Sequence, residues 1–302
     1  MANQNFISYV NSPIYLGTQE GQVPATGLAG INNLIAANSC DITFDAQLEG
    51  AKFLGKTPIP NDFNISGPKQ TKISFSYVPL VGANVVSGVS EASLAPFFAT
   101  GDSVSGSVIR VGNFIFRQCY LDSLSVQINA YNPVKVNANY SSYDSSITET
   151  GIYTGAVDTA GLVSNTYSGA YLSSLHALSL GVSGNSTSIP ESKTEISIQT
   201  TCARTPIYEV GSITPTTVIL NSVNRSTNLN GENVGQVINF SGSNASLSLR
   251  FSEFSKIMDS GFAPMTDYKL AIDILGKVSS QNLSMQPNQI LGGSCSVVEN
   301  IF

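Results

Sequence analysis

His176 is the only histidine in the chain, so any Ser/His/Asp or Cys/His mechanism would have to use it. It lies in an apolar run at residues 174–178, with the sequence Ser-Leu-His-Ala-Leu. That setting favours a structural or partner-contacting histidine over a catalytic base. An enzyme that uses His176 remains one of the alternatives at this point.

Two acidic pairs have a spacing that would suit glycoside hydrolysis. Asp41 with Asp45, and Glu191 with Glu195, are each four residues apart, and paired carboxylates are the catalytic groups of most glycosidases. Such sites usually lie in a cleft lined by aromatic rings, and the chain has no tryptophan. The sequence therefore predicts a protein that is not an enzyme and has no catalytic residues.

Metal and cofactor motifs are absent from the sequence. The cysteines, Cys40, Cys119, Cys202 and Cys295, are widely separated and form no CxxC pair, so they are interpreted as small buried apolar residues. No glycine-rich phosphate loop links a strand to a helix, and no Asp/Asn series resembles a calcium loop. We expect no metal site and no cofactor.

The composition favours a β-rich protein with a weakly charged surface. Charged residues make up 11% of the 302 residues, against roughly 25% in typical soluble domains, so the surface must consist largely of Ser, Asn, Thr, Gln and Gly. The net charge of -6 argues against tight binding to nucleic acid through phosphate neutralisation. No stretch has the pattern of a secretion signal or of a membrane span, so we expect a product made in the cytoplasm without membrane insertion.

Two short segments alternate strictly between polar and apolar residues and begin with an acid. In residues 41–45 and 195–199 the apolar members would face a core, as expected for half-buried strands. The outward residues would be Asp41, Thr43, Asp45, Glu195, Ser197 and Gln199. Residues 72–78 and 134–140 alternate in the same way, and the same split puts Ser74, Ser76, Ser246, Ser248 and Arg250 on the polar side. This face is either an ordinary solvated sheet surface or a polar, net acidic lining of a channel.

The order of predicted elements repeats once, which predicts a tandem duplication of one β domain. Residues 282–286 match 123–127, residues 295–302 stand where 136–143 stood, and residues 245–251 are read as the counterpart of 72–78. Each unit is predicted to carry one short helix, at 91–99 and 253–261. The predicted boundaries are an N-terminal arm at 1–30, a first β domain at 31–145, a linker or surface excursion at 146–170, and a second β domain at 171–302.

These residues resemble those of tail tube proteins of tailed bacteriophages. The resemblance covers about 220 residues and rests on loose β patterns. In the first unit it is carried by residues 39–44 (SCDITF), 53–56 (FLGK), 72–77 (KISFSY), 121–126 (LDSLSV) and 134–143, and in the second unit by 195–198 (EISI), 204–211 (RTPIYEVG) and 215–220. The chain departs from the usual pattern in carrying two units, as a minority of tube proteins do.

The resemblance implies an all-β fold, a β-sandwich or barrel, whose sheets join those of neighbouring subunits around a lumen. It implies a virion structural protein that assembles into stacked rings, with a trimer of the duplicated chain making a pseudo-hexameric ring. The loops at 56–70 and 212–237, with the N-terminal arm, would reach adjacent rings. The partners would be further copies of the chain, other tail proteins, and genomic DNA as a transient passenger during ejection. Alternatives are a capsid decoration or head–tail connector protein and a carbohydrate-binding β-sandwich adhesin.

Overall fold

The structure is a computed structural model of the chain. The residues that it describes are 14–17, 34–35, 37–50, 63–78, 80–81, 106–112, 114–129, 132–144, 148–149, 170–182, 185–188, 194–232, 234, 242–253, 270–285, 287 and 292–300. All sixteen elements defined in these ranges are β-strands, and they belong to one hydrogen-bonded sheet network. The prediction of an all-β protein is confirmed.

The strands fall into two runs along the chain. The first run comprises β1 (Ile14–Gly17), β2 (Leu34–Ile35), β3 (Ala37–Gly50), β4 (Phe63–Tyr77), β5 (Leu80–Val81), β6 (Ser107–Val111), β7 (Phe114–Asn129), β8 (Lys135–Ser142) and β9 (Thr148–Glu149). The second run comprises β10 (Ala170–Val182), β11 (Asn185–Ser188), β12 (Thr194–Ile207), β13 (Thr217–Glu232), β14 (Asn244–Glu253), β15 (Leu270–Ser284) and β16 (Gly292–Asn300).

Polar/apolar alternation gives these segments their strand conformation. In β12, Ile196 and Ile198 are 2% and 3% exposed, whereas the neighbouring Glu195 and Gln199 are exposed. Successive side chains of a strand point to opposite faces, so this period buries one face and leaves the other in water. The alternation predicted for residues 72–78 and 134–140 is confirmed in β4 and β8 in the same way.

Six antiparallel pairings organise the first run of strands. β1 pairs with β2 and with β6, and β6 pairs with β7. β7 pairs with β8, β8 pairs with β4, and β4 pairs with β3. The long strand β7 changes neighbours along its length, because its first half lies beside β6 and its second half beside β12.

The same six kinds of pairing occur in the second run, in the same chain order. β10 pairs with β11 and with β14, and β14 pairs with β15. β15 pairs with β16, β16 with β13, and β13 with β12. Each strand of the second run thus takes a place held by a strand of the first, with β12 in the place of β3 and β15 in the place of β7.

The pairing of β7 with β12 joins the two runs. Seven consecutive residues of each strand take part, from Ser123 opposite Thr201 to Asn129 opposite Glu195. A second connection is the short β5, which pairs with the start of β10. β10 also contacts β7, although five strands separate them along the pairing order.

Three expectations from the sequence change. Residues 217–232, which were assigned to a loop at 212–237, form β13, and residues 63–70 of the loop predicted at 56–70 belong to β4. Residues 245–251 do not occupy the place of 72–78, because β14 lies between β10 and β15 whereas β4 lies between β3 and β8. The N-terminal segment was expected to form an extended arm with one short strand, and residues 14–17 form the buried strand β1.

Some predictions fall on residues outside the described ranges. These are the helix at 91–99, most of the helix at 253–261 and most of the linker at 146–170. Glu253 itself is the last residue of β14.

A glycine in β15 tests how tightly neighbouring strands pack. A Cβ at Gly276 would lie 2.5 Å from the carbonyl oxygen of Val298, whereas a Cβ at Gly292 would find its nearest atom at 3.8 Å. We expect Gly276→Ala to lower the free energy of unfolding by about 1–3 kcal/mol, the usual cost of overpacking. Gly292→Ala is the matched control and should change it by less than about 0.5 kcal/mol. Denaturant unfolding of both variants measures the difference, and equal values would contradict the packing described.

Candidate functional site: a continuous polar sheet face

One row of side chains runs without interruption across nine strands. Residues directly opposite each other in antiparallel strands project from the same face, so successive pairs define a row. The row consists of Ser39, Ser76, Asn137, Ser125, Gln199, Ser226, Val298, Lys277 and Asn244. None of these residues is buried, and Val298 is the single apolar member. We call the surface to which this row belongs the polar face.

The adjacent row on the opposite side of the sheet is buried and, except for Thr227, apolar; the Thr227 hydroxyl has no hydrogen-bond partner among the described residues. This row consists of Tyr77, Val136, Val126, Ile198, Thr227, Val297 and Val278. Each of the seven is at most 3% exposed. The sheet therefore separates a hydroxyl- and amide-rich surface from a core over at least seven strands.

All six residues predicted to line a channel lie on the polar face. Asp41, Thr43 and Asp45 lie two, four and six residues after Ser39 on β3, so they project from the same face as this member of the row. Glu195 and Ser197 lie four and two residues before Gln199 on β12, which is also in the row. Five of the six are exposed and Ser197 is half-buried.

The six residues do not form one compact cluster. Four strand spacings separate β3 from β12, which places the two groups roughly 19 Å apart across the sheet at about 4.8 Å per spacing. They share a surface and not a pocket.

The polar face carries few charges, and carboxylates outnumber lysines. Among the described side chains the carboxylates are Asp41, Asp45, Glu195, Glu232 and Asp273, and the lysines are Lys72, Lys135 and Lys277. Neighbouring hydroxyls occupy some of the acceptors, as where the hydroxyl of Ser248 donates to Asp273 Oδ1 at 2.8 Å. The surface is weakly acidic and mostly neutral.

Asparagine and serine residues that sequence reasoning did not assign to a site make up most of the polar face. Asn139 Nδ2 donates to Ser123 Oγ at 2.8 Å between β8 and β7, and Asn221 Nδ2 donates to Thr205 Oγ1 at 2.7 Å between β13 and β12. Such cross-strand bonds fix side chains that would otherwise be free to bind a passing ligand. The alternation at 134–140 was the available signal for Asn137 and Asn139, because it placed them on a polar side. Ser74, Ser76, Ser246 and Ser248 lie on the polar face as predicted.

The core face contains one ion pair between β13 and β16. Arg225 Nη1 lies 3.1 Å from Glu299 Oε2, and Arg225 Nε donates to Thr200 Oγ1 at 3.3 Å. These three residues are cross-strand neighbours. Removing one partner of such a pair leaves a charge in a dry setting, so the pair favours the observed register over a shifted one.

Two of the cysteine thiols, those of Cys40 and Cys119, are poorly suited to nucleophilic chemistry. Burial raises the pKa of Cys119 to about 12 and that of Cys40 to about 11, the latter with a smaller contribution from the neighbouring Asp41 carboxylate. At neutral pH both are protonated thiols, and the thiolate is the reactive form. His176 lies in β10, at a position whose side chain is outside the described set.

Searches for other kinds of site and for relatives add no assignment. Within the described ranges, no group of three or more His, Cys, Asp or Glu side chains could hold a metal ion. In the same ranges no helix is long and apolar enough to span a membrane. The chain matches no model of a known protein family, and a search of curated proteins finds no match.

The raised pKa of Cys119 predicts an alkaline loss of stability. An unfolded cysteine ionises near about pH 8.5, so the folded chain holds this proton to higher pH and its stability falls as pH rises between about 8.5 and 12. Over that window the free energy of unfolding should fall by about 1.4 kcal/mol per pH unit for this thiol. Cys119→Ala should remove that part of the slope in denaturant titrations at pH 8, 9 and 10. An unchanged slope would show that the thiol is not protected by burial.

Proposed function

We propose that the chain is a virion structural protein that forms the tail tube of a tailed bacteriophage. Copies of the chain would assemble side by side into rings, and the stacked rings would enclose a lumen that conducts DNA. The observation that carries the proposal is the polar face, a hydroxyl- and amide-rich surface continuous over nine strands with an apolar surface behind it. The resemblance of the sequence to tail tube proteins agrees with this arrangement.

The repeated pairing supports a tandem duplication. Besides the six pairings shared by the two runs, the registers reproduce the sequence alignment at the first and last strands of the path. Between them the registers match Asn139 with Ser294, four residues from the Val298 that the sequence alignment gives. From Asp41 the register leads through Ser74 and Asn139 to Ser123, and from Glu195 it leads through Asn230 and Ser294 to Asn282. The sequence independently aligns Asp41 with Glu195, and Ser123 with Asn282. Agreement at both ends of the path is expected if one β unit was copied.

The apolar row supports a second layer and hence a sandwich or barrel. A sheet face with side chains at most 3% exposed must be covered by another layer. β10 returns to contact β7, so the sheet of the second unit curls towards closure. We propose that β1, β2 and β6 in the first unit, and β10, β11 and β14 in the second, fold over the apolar row while the polar face stays open to the lumen.

The width of the lumen favours three copies per ring. Each copy would contribute eight of the nine strands of the polar face, namely β3, β4, β8, β7, β12, β13, β16 and β15. The ninth, β14, would leave the barrel wall for the covering layer together with β10. With strands about 4.8 Å apart and tilted by about 40°, barrels of 8, 16 and 24 strands have backbone diameters of about 16, 32 and 48 Å. Inward-facing side chains reduce each of these diameters by about 10 Å. The 24-stranded barrel is therefore the smallest of the three whose open width clearly exceeds the diameter of a DNA duplex. A trimer of the duplicated chain supplies them, as a pseudo-hexameric ring.

The chemistry of the polar face suits passage of DNA. DNA carries one negative charge per roughly 1.7 Å of its axis, so scattered carboxylates repel it and neutral hydroxyls and amides offer it no counter-charge. A basic lining would neutralise phosphates and hold the duplex at every ring. The proposed protein therefore assembles in the cytoplasm of the host and functions in the virion tail, with other tail proteins as neighbours and the genome as a transient passenger.

Assembly of the purified protein tests the proposal directly. We expect negative-stain electron microscopy to show rings, or stacked tubes, with three-fold or pseudo-six-fold symmetry at high protein concentration. Gel filtration with light scattering should give a trimer mass or a multiple of it. Monomers that persist at every concentration would contradict a tube and would favour a decoration protein or an adhesin.

Charge reversal on β3 tests which face lines the lumen. Asp41→Lys with Asp45→Lys adds four positive charges per chain relative to the wild type at exposed positions, so tubes should still form. DNA ejection from particles carrying the variant should be slowed by about tenfold or more, and more so at low salt, because phosphates would bind the new lysines. Lysines at three exposed positions between β12 and β13, Glu209, Val210 and Ile213, change the charge by the same four units and are the control, which should leave ejection unchanged. Ejection at the wild-type rate from the Asp41/Asp45 variant would place this face outside the lumen.

A further inference from the structure

Two long strands, β3 and β15, each have a stretch of edge that lacks a neighbour within the described residues. β3 pairs with β4 alone, so its other edge is open. In β15 the last six residues, Ser279 to Ser284, pair with β16 alone, because β14 and the backbone bonds of Val278 with Gly242 and Ser243 occupy that edge only as far as Val278. Open edges of long strands are ready templates for pairing with another chain.

The interior of the chain contains the same two edges already paired. β12 holds the place of β3, and β7 holds the place of β15. The edge of β12 that corresponds to the open edge of β3 pairs with residues 123–129 of β7. The counterparts of 123–125 are residues 282–284 at the open end of β15, and the counterpart of Val126 is Met285, directly after the strand. The β7–β12 contact therefore displays the partner that each open edge lacks.

Side-chain exposure gives independent support. On β12, Ile196 and Ile198 are 2% and 3% exposed. Their counterparts on β3 are more exposed, because Ile42 is half-buried and Phe44 is 60% exposed. On β7, Leu124 and Val126 are 2% and 0% exposed. The counterpart of Leu124 is Leu283 in β15, which is half-buried. The counterpart of Val126 is Met285, which directly follows β15 and is 77% exposed. Both open edges thus expose apolar side chains that are buried where the neighbouring strand is present.

We propose that the end of β15 in one copy, continued to Met285, pairs antiparallel with β3 of a second copy in the register of β7 with β12. Residues 282–285 then lie opposite residues 47–44, and the pairing stops before the turn at Pro287, which has no N–H to donate. The counterpart of Val126 is Met285, and the counterpart of Ile198 is Phe44. Since Val126 lies directly opposite Ile198, Met285 lies opposite Phe44 of the neighbouring copy. This inference rests on the duplication and ring assembly proposed above, and it identifies the surface and the register of the contact between copies.

The proposed contact satisfies both edges at once. Backbone N–H and C=O groups of each edge gain partners, as in peptide recognition by strand addition. The Met285 thioether would pack against the Phe44 ring, a favourable sulfur–aromatic contact. On the other face Ser284 would lie opposite Asp45, just as Ser125 lies opposite Gln199 within one chain. The polar face would therefore continue from copy to copy. The contact is head-to-tail, and such contacts close into rings when the rotation per copy permits.

A double cysteine variant tests the register in the full chain. In Phe44→Cys/Met285→Cys, mild oxidation or a thiol reagent of about 5 Å span should link separate copies, because directly opposite Cβ atoms lie about 4.5–5.5 Å apart. Denaturing gels without reductant should show dimers and trimers. The matched control is Phe44→Cys/Leu275→Cys, since Leu275 is 67% exposed on the same strand but lies opposite Ser246 of its own chain. The control and each single variant should stay monomeric on the gel.

A second set of variants, which places opposite charges at positions 44 and 285, tests the same contact if the cysteine variant folds poorly. Phe44→Lys and Met285→Glu should each raise the concentration needed for assembly by about tenfold or more, because an apolar contact is replaced by an unpaired charge. The double variant Phe44→Lys/Met285→Glu should recover most of that loss.

The outcomes separate this contact from the function proposed above. Linked copies and recovery in the double charge variant support the β15–β3 pairing. Tubes without linkage or recovery would overturn the pairing and leave the tube function standing. Linked copies that form no ring or tube would support the pairing and overturn the tube. A chain that remains monomeric and unlinked would overturn both.

Discussion

The antiparallel register between β7 and β12 is the constraint on which the rest of the molecule depends. It joins the two runs of strands, and it sets which side chains of one run share a face with those of the other. Because the side-chain period of a strand is two, a slip by one residue would carry Ile196 and Ile198 to the polar side of β7 and Gln199 into the core. The buried contact of Ile198 with Val126 opposes that slip. Both the polar row and the apolar row are continuous because this single register is fixed.

A sheet with this separation of faces needs few charges. Hydroxyl and amide side chains satisfy one another across strands, as Asn139 does with Ser123, so the polar face remains hydrated without a strong electric field. The charges that are buried have specific partners, as in the pair of Arg225 with Glu299. A low charged fraction would be hazardous for an isolated protein, since it lowers colloidal stability. It suits a protein whose working state is an assembly of its own copies.

Much of the strand pattern could be predicted from the sequence, but not the length or pairing of every strand. The alternation at 41–45, 72–78, 134–140 and 195–199 was clear because apolar residues occupy nearly every inward position. β13 was assigned to a loop because it is rich in asparagine and because two of its inward positions carry Arg225 and Thr227, which hides the period. β14 was given the place of β4 because alternation is a local signal, whereas sheet position depends on contacts between residues far apart in the chain. The polar face could be predicted at the six named residues, while its extent over nine strands depends on registers that no local pattern contains.

The pairing of β7 with β12 also means that β7 is synthesised well before the strand with which it pairs. The edge of β7 that receives β12 is complete once residue 129 has left the ribosome, but β12 begins at Thr194. At about 5–20 residues per second, that edge waits several seconds for its partner. During this interval the open edge of β7 in a nascent chain could pair with β3 of another chain that is being synthesised on the same messenger RNA. Faithful folding therefore depends on the second unit arriving before a second molecule does.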